Sequence, residues 1–291
     1  MNRFRLAHLS DLHLPLAAQA PQVRELISKR FFSWLSWQTK RRFVHRPEAL
    51  ARVMADVRAA GPDHLGVTGD LTNLSLPDEF ERARDWLAAH GTPESVTAIP
   101  GNHDALVRVA HAKGLGLLDA WMDRGEGFPF VRRLEGAALI GVSSAIPTGL
   151  FRASGRIGPM QLGRLESLLQ ALESEGLFRI VLVHHPITEG VVRKRKALDD
   201  RAALRAVLGR AGAELVLHGH SHAAAADSIP GPRGPIPVVS APSASGAPAG
   251  WNLVEVEATN ANWRLAVSLR SLDADGNVAE TKRIAVKIPR R

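Results

Sequence analysis

Five short clusters of His, Asp and Asn, each directly after an apolar strand-like run, constrain this chain more than any other feature. They are Asp11-Leu-His13, Gly69-Asp70-Leu-Thr-Asn73, Gly101-Asn102-His103-Asp104, His184-His185-Pro186 and His218-Gly-His220-Ser-His222. The runs before them include Phe4 to Leu9, His64 to Thr68, Ser95 to Ile99, Phe178 to Val183 and Glu214 to Leu217. Helical patterns separate these runs, notably 47–60, 77–90, 159–176 and 198–211, so the chain predicts βαβ units with right-handed crossovers. In such sheets ligand sites lie just beyond the carboxyl ends of the strands. Five strand ends meeting at one crevice would collect all five clusters.

Three alternating segments close the chain: Asn252 to Glu257, Trp263 to Leu272 and Ile284 to Ile288. They add an antiparallel portion. Two sheets packed face to face with helices outside would satisfy both halves of the pattern. The expected fold is therefore α/β, a four-layer α-β-β-α sandwich of two mixed sheets, with a helical insert near the N-terminus. The 291 residues suffice for one large domain. We expect a single domain over 1–291, with 22–46 a basic and aromatic helical insert and 251–291 the closing strands. The stretch 227–250, rich in Pro, Gly, Ser and Ala, contains loops; a surface loop inside that domain is the expectation and a domain linker the alternative.

The residue types and their spacing have a chemical meaning. In Asp11-Leu12-His13 an extended chain would point Asp11 and His13 the same way and Leu12 into the core; His220 and His222 repeat the arrangement. Gly69, Gly101 and Gly219 suit tight turns. Imidazole, carboxylate and amide oxygen together fit manganese, iron, zinc or cobalt. Seven such groups are too many for one tetrahedral ion and suit two ions sharing a carboxylate. The absence of cysteine excludes disulfides, zinc fingers and thiol catalysis.

The ordered set D-x-H, G-D-x-x-N, G-N-H-D, H and G-H-x-H, spanning residues 11 to 222, resembles the calcineurin-like metallophosphoesterase signature. The resemblance implies that Asp11, His13, Asp70 and His222 hold one ion, and that Asp70, Asn102, His184 and His220 hold the other, with Asp70 bridging. It implies that His103 stabilises the phosphoryl group or protonates the leaving oxygen, and that Asp104 orients His103. Asn73 would hydrogen-bond loops of the site. His185 would stand behind the ligands or face substrate. His8, His45, His64, His90 and His111 receive no role, and His218 reads as a packed histidine.

The expected cofactors are two divalent ions, manganese or iron foremost, with zinc or cobalt as alternatives. The expected reaction is phosphodiester hydrolysis by a metal-bridging hydroxide; G-N-H-D resembles the branch containing cyclic-nucleotide phosphodiesterases. A pyrophosphohydrolase acting on a lipid-linked or nucleotide-sugar substrate such as UDP-diacylglucosamine is the alternative, although one branch of those enzymes carries Arg where this chain has His103. A non-catalytic metal-bound scaffold, of the kind a retromer subunit represents, is the alternative of another class; it usually lacks a ligand or catalytic position, and every such position is filled here.

The segment Lys29-Arg-Phe-Phe-Ser-Trp-Leu-Ser-Trp-Gln-Thr-Lys-Arg-Arg42 stands apart. Ile27, Phe31, Trp34, Leu35 and Gln38 share one helical face, leaving Phe32 and Trp37 elsewhere. Three readings are open: an insert packed on the sheet, a lid or membrane-surface helix with its cations toward anionic headgroups, and a nucleic-acid contact, the weakest of the three. Arg193 to Lys196 would draw an anionic substrate toward the cleft or form an exposed loop. Formal net charge is +8, which favours anionic partners in general. Expected partners are thus a phosphorylated small molecule or lipid-linked substrate, with peripheral membrane contact through 29–42 and no nucleic acid. No segment is apolar enough to span a bilayer, and no signal-peptide pattern opens the sequence. The expected location is the cytoplasm, or the cytoplasmic face of a membrane.

Overall fold

In the computed structural model, which describes residues 3–17 and 21–290, twelve strands form two six-stranded sheets among the described residues. The first has the order β12-β11-β10-β1-β2-β3 and the second β4-β5-β6-β7-β9-β8. Here β1 is Arg3–Leu9, β2 His64–Val67, β3 Val96–Ala98, β4 Phe130–Leu134, β5 Ala137–Val142 and β6 Phe178–Val183. The remaining strands are β7 Leu215–His218, β8 Ala225–Ile229, β9 Ile236–Ser240, β10 Gly250–Ala258, β11 Asn262–Leu272 and β12 Val278–Pro289. Strands β1, β2 and β3 pair in parallel, as do β5, β6, β7 and β9. The closing strands β10, β11 and β12 form an antiparallel run that joins the first sheet at β1.

Period-2 side-chain alternation produces the layers. In β6, Phe178, Ile180 and Leu182 enter the core between the sheets, whereas Val181 and Val183 face the outer helices. In β1, Phe4 and Leu6 face the second sheet, and Ala7 and Leu9 face the opposite way. Helices cover the outer faces. Leu50, Val53, Met54 and Val57 of α4 (Pro47–Ala60), with Phe80, Ala83 and Leu87 of α5 (Pro77–His90), pack on the first sheet. Leu162, Leu165 and Leu169 of α6 (Pro159–Ser174), with Leu204 and Leu208 of α7 (Arg201–Ala211), pack on the second. The result is the four-layer arrangement of two mixed sheets flanked by helices.

The segment between β1 and α4 departs from a single helix. It contains α1 (Val23–Leu26), α2 (Arg30–Ser36), a π turn (Trp37–Arg41) and α3 (Arg42–Val44). Packing of its shared apolar face on the sheet is not what the structure shows. Ile27 is 79% exposed, and Phe31 and Leu35 are each 44% exposed. The one buried aromatic is Trp37, which lies off that face and stacks parallel to His45. Of that face Trp34 packs against the small cluster of Leu74, Leu76 and Leu106, and polar contacts supply further anchors. Lys29 Nζ donates to Thr148 Oγ1 and the Arg152 carbonyl, while Arg30 donates to the carbonyls of Leu74 and Ser75.

Candidate metal centre

Three strand ends of the first sheet and two of the second meet at one cleft. Asp11 and His13 follow β1, Asp70 follows β2, Asn102 and His103 follow β3, His184 follows β6, and His220 and His222 follow β7. The loops are tied across the sheet: Asp11 N–H donates to Gly69 O, His13 N–H to Asp70 O and Leu14 N–H to Leu71 O. Gly101 and Gly219 are needed for close approach. A Cβ at residue 101 would collide with Asp70, and one at residue 219 with Ser10 and Asp11.

Asp11 and His13 are not in the extended conformation that their spacing suggested. Their φ angles are 53° and 43°; those of Asp70, His220 and His222 are 56°, 63° and 58°. These are five of the eight described non-glycine residues with positive φ. Left-handed backbone costs roughly 1–2 kcal/mol per L-residue, and it persists only where surrounding structure over-determines it. Turning each residue this way aims its side chain into the cleft, while Leu12 stays fully buried behind the loop.

The donor atoms show what they are built to face. Asp70 spends Oδ1 on the His103 N–H at 2.7 Å and leaves Oδ2 3.8 Å from His13 Nε2 and 3.5 Å from His184 Nε2. Asp11 spends Oδ2 on the His220 N–H at 2.9 Å. His222 Nε2 stands 3.1 Å from Asp11 Oδ1, yet their geometry is not that of a hydrogen bond, and Oδ1 is buried without a donor. The imidazoles obey the same rule. His13 Nδ1 faces Thr72 O, His184 Nδ1 faces Thr68 O at 2.6 Å, and His220 Nε2 faces Lys196 O at 2.9 Å. A carbonyl only accepts, so those nitrogens carry the proton and the opposite nitrogen presents its lone pair inward. Inward, His184 Nε2 lies 3.2 Å from both Asn102 Oδ1 and His220 Nδ1.

Two groups able to hold a cation result: Asp11 with His13 and Asp70, and Asp70 with His184 and His220. Asp70 belongs to both. Burial opposes a charge on His184, but Asp70 and Asp11 outweigh it and bring its pKa up to about 9. The carboxylates therefore demand positive charge at Nε2, which a proton or a metal ion supplies; binding a metal there releases the proton. The residues present fit a pair of divalent ions.

His103 projects beside this centre. Its Nδ1 donates to Asn73 O at 2.8 Å. Burial, and then the Arg41 guanidinium, lower its pKa to about 3. Asp104 does not orient the His103 ring, as the resemblance implied. Its carboxylate is occupied by the N–H groups of Asp70, Leu71, Thr72 and Gly101, so it clamps the loops after β2 and β3 together. Asn73 Nδ2 donates to Leu14 O. His185 is buried, and its ring bonds Ser144 Oγ and Ala153 O. It braces the loop after β5 and does not face the cleft. His218 is buried with Nδ1 near Gly219 O.

Two residues in the cleft escape the strand-end pattern. His45 completes a third possible cation group with His13 and His222, and its Nδ1 bonds Ser245 Oγ at 3.0 Å. Arg41 reaches His13 and His103. Both belong to the segment between β1 and α4, where nothing in the sequence distinguishes them from solvated charge. The cleft has a volume of about 570 Å³. Lys29, Lys40, Arg41 and Lys196 supply its charge, and Phe32, Leu35, Leu150 and Phe151 its apolar wall.

A family model described as calcineurin-like phosphoesterase matches residues 4–224, from β1 to just beyond His222. The chain belongs to the calcineurin-like phosphoesterase family. A probable cyclic nucleotide phosphodiesterase of Synechococcus sp. is 29% identical over 268 residues, covering 89% of each chain. A dimetal phosphatase from Danio rerio superposes with a TM-score of 0.61 at 11% identity, over 98% of both chains. A purple acid phosphatase from yellow lupin gives 0.63 at 12% identity, over 98% of this chain and 54% of its own. At such identities the solved structures show the shared fold. The calcineurin-like family implies a binuclear divalent metal centre, and this chain is a metal-dependent phosphoester hydrolase acting on a phosphorylated substrate.

Proposed function

We propose that the chain is a phosphodiesterase. The observation that carries this is its similarity, over 89% of both chains, to a probable cyclic nucleotide phosphodiesterase. The cleft supports it, because 570 Å³ with apolar walls exceeds the needs of a bare phosphoryl group and accommodates a second ester substituent. Asp11, His13, Asp70 and His222 would hold one ion, and Asp70, Asn102, His184 and His220 the other. Manganese or iron suits this mixed nitrogen and oxygen set.

When bound, two divalent ions lower the pKa of water and neutralise charge on the phosphoryl oxygens. The chain positions everything else. Lys196 and Lys40 attract the anion. His103 presents Nε2 as an acceptor while neutral; protonating a leaving oxygen requires its imidazolium form, which an arriving phosphoryl anion favours. After metal stripping, added manganese should restore cleavage of bis-p-nitrophenyl phosphate, with little action on p-nitrophenyl phosphate. Preference for the monoester would overturn the diester assignment.

A second reading rests on the rim. Phe32, Leu35, Leu150 and Phe151 are each at least 43% exposed at the cleft mouth, and Phe43, Ile27 and Val23 continue the exposed apolar surface. Lysines and arginines of 29–42 lie among them. That composition favours a lipid-linked phosphodiester or pyrophosphate, reached from an anionic membrane surface. No helix among the described residues is long and apolar enough to cross a membrane. Flotation with vesicles containing anionic lipid tests the contact; a chain that remains at the bottom of the gradient would end this reading.

A further inference from the structure

The guanidinium of Arg41 is turned into the cleft at the end of the π turn Trp37–Arg41. Single π turns recur at functional sites. Its NH2 lies 3.0 Å from His13 Nδ1 and 3.2 Å from His13 Nε2, and its NH1 lies 3.3 Å from His103 Nδ1. Donor accounting shows that these contacts do not satisfy it. His13 Nδ1 and His103 Nδ1 already donate to Thr72 O and Asn73 O, so neither can accept from Arg41. The remaining nitrogen, His13 Nε2, points at Asp11 and Asp70. Among the described residues no carboxylate lies within ion-pair distance of Arg41; Asp70, Glu79 and Asp11 act on it only from farther away. Arg41 is thus a partly buried cation with no carboxylate partner and His13 Nε2 as its one available acceptor, a setting that favours the arrival of an anion.

We propose that Arg41 is a substrate-binding residue whose guanidinium takes a non-bridging oxygen of the phosphoryl group, so that the segment 22–46 completes the site. A planar guanidinium matches two phosphoryl oxygens at once. The charge developing on the equatorial oxygens during transfer would then have a counterion supplied by the chain itself. Lys29 and Arg30 bolt the segment to the loops at 148–152 and 74–75, which fixes Arg41 over the centre. The inference rests on phosphoester hydrolysis and not on the preference for diesters.

The test uses the full, metal-loaded chain with Arg41→Ala and Arg41→Lys. Metal per chain is measured by elemental analysis, orthophosphate affinity by calorimetry, and kcat and KM with bis-p-nitrophenyl phosphate. We expect unchanged metal content and orthophosphate binding weakened at least about tenfold in Arg41→Ala, the size of one charge-assisted contact. KM should rise and kcat fall, with partial recovery in Arg41→Lys. Phosphate affinity within twofold of the parent would overturn the proposal. So would metal loss in proportion to the activity loss, which would make Arg41 a positioning residue for His13. A parent chain that binds orthophosphate but leaves the diester intact would sink the phosphodiesterase reading alone, because the calorimetric comparison would still stand.

Discussion

At the strand ends, Asp11, His13, Asp70, Asn102 and His184 are nearly or fully buried, and backbone hydrogen bonds tie loop to loop across the sheet. In the segment 22–46, only Trp37 and His45 are buried, and the attachments are long cationic side chains reaching carbonyls. The first region is a rigid frame in strained conformations. The second is anchored by a few polar contacts and carries most of the exposed large apolar side chains. Metal geometry is thus fixed by buried loop-to-loop bonds, while contact with the non-reacting part of a substrate falls to the exposed apolar rim. Preorganised groups serve chemistry best where charge develops; adaptable surfaces accommodate varied substituents.

The largest effect expected from this contrast is on Asp70. Asp70→Asn keeps the backbone preference but removes the shared charge, and it should lower both metal content and turnover. Changes behind a ligand typically cost 10–100-fold, so losing the bridge should exceed roughly 100-fold. Two ions still bound by elemental analysis would show that the frame does not depend on Asp70. Next comes Asp104→Ala, which strands the N–H groups of Asp70, Thr72 and Gly101. At about 1–3 kcal/mol for each unsatisfied donor, it should destabilise the fold by about 3–9 kcal/mol, read by denaturant unfolding. A loss under about 1 kcal/mol would mean that the loops hold themselves.

Changes in the other region should spare stability and move binding instead. The pair Phe32→Ser and Phe151→Ser should leave metal content alone and keep each unfolding change within about 0.5 kcal/mol. It should weaken binding of a diester carrying a long acyl chain by about tenfold or more relative to bis-p-nitrophenyl phosphate. Equal loss on both substrates would erase the distinction between frame and rim. The smallest effect belongs to Ser245→Ala, which frees His45 from its anchor and should cost about 1 kcal/mol. A larger loss of bound metal than of stability would assign His45 to the centre.

The sandwich was legible because its strands are short, apolar and alternating, and because each of α4, α5, α6 and α7 has Pro at its start or Gly at its end. The five clusters were legible because Asp, Asn and His after a strand are sparse and ordered. The means of convergence was not. An extended Asp11-Leu12-His13 would share a face, whereas the chain reaches the cleft through left-handed turns that spacing does not encode. For Asp104 the resemblance implied a role toward His103, and only the structure shows four backbone donors claiming its carboxylate. The insert misled for a related reason. An apolar helical face implies burial, but only Trp34 of that face packs inward, Ile27, Phe31 and Leu35 stay exposed, and Trp37 goes inward from another side.

The left-handed residues restrict what evolution or an engineer can substitute. At φ near 50–60°, Asn and Asp are tolerated better than Ala, and β-branched residues are excluded. An alanine scan of Asp11 or Asp70 therefore changes two things at once, the ligand and the shape of its loop. Asparagine separates them, since it can sit in the same turn with a neutral amide. The route by which such a centre drifts toward another metal or toward inactivity thus runs through Asn and Gly at these positions, and a relative that has lost catalysis but kept the loop should show those residues there.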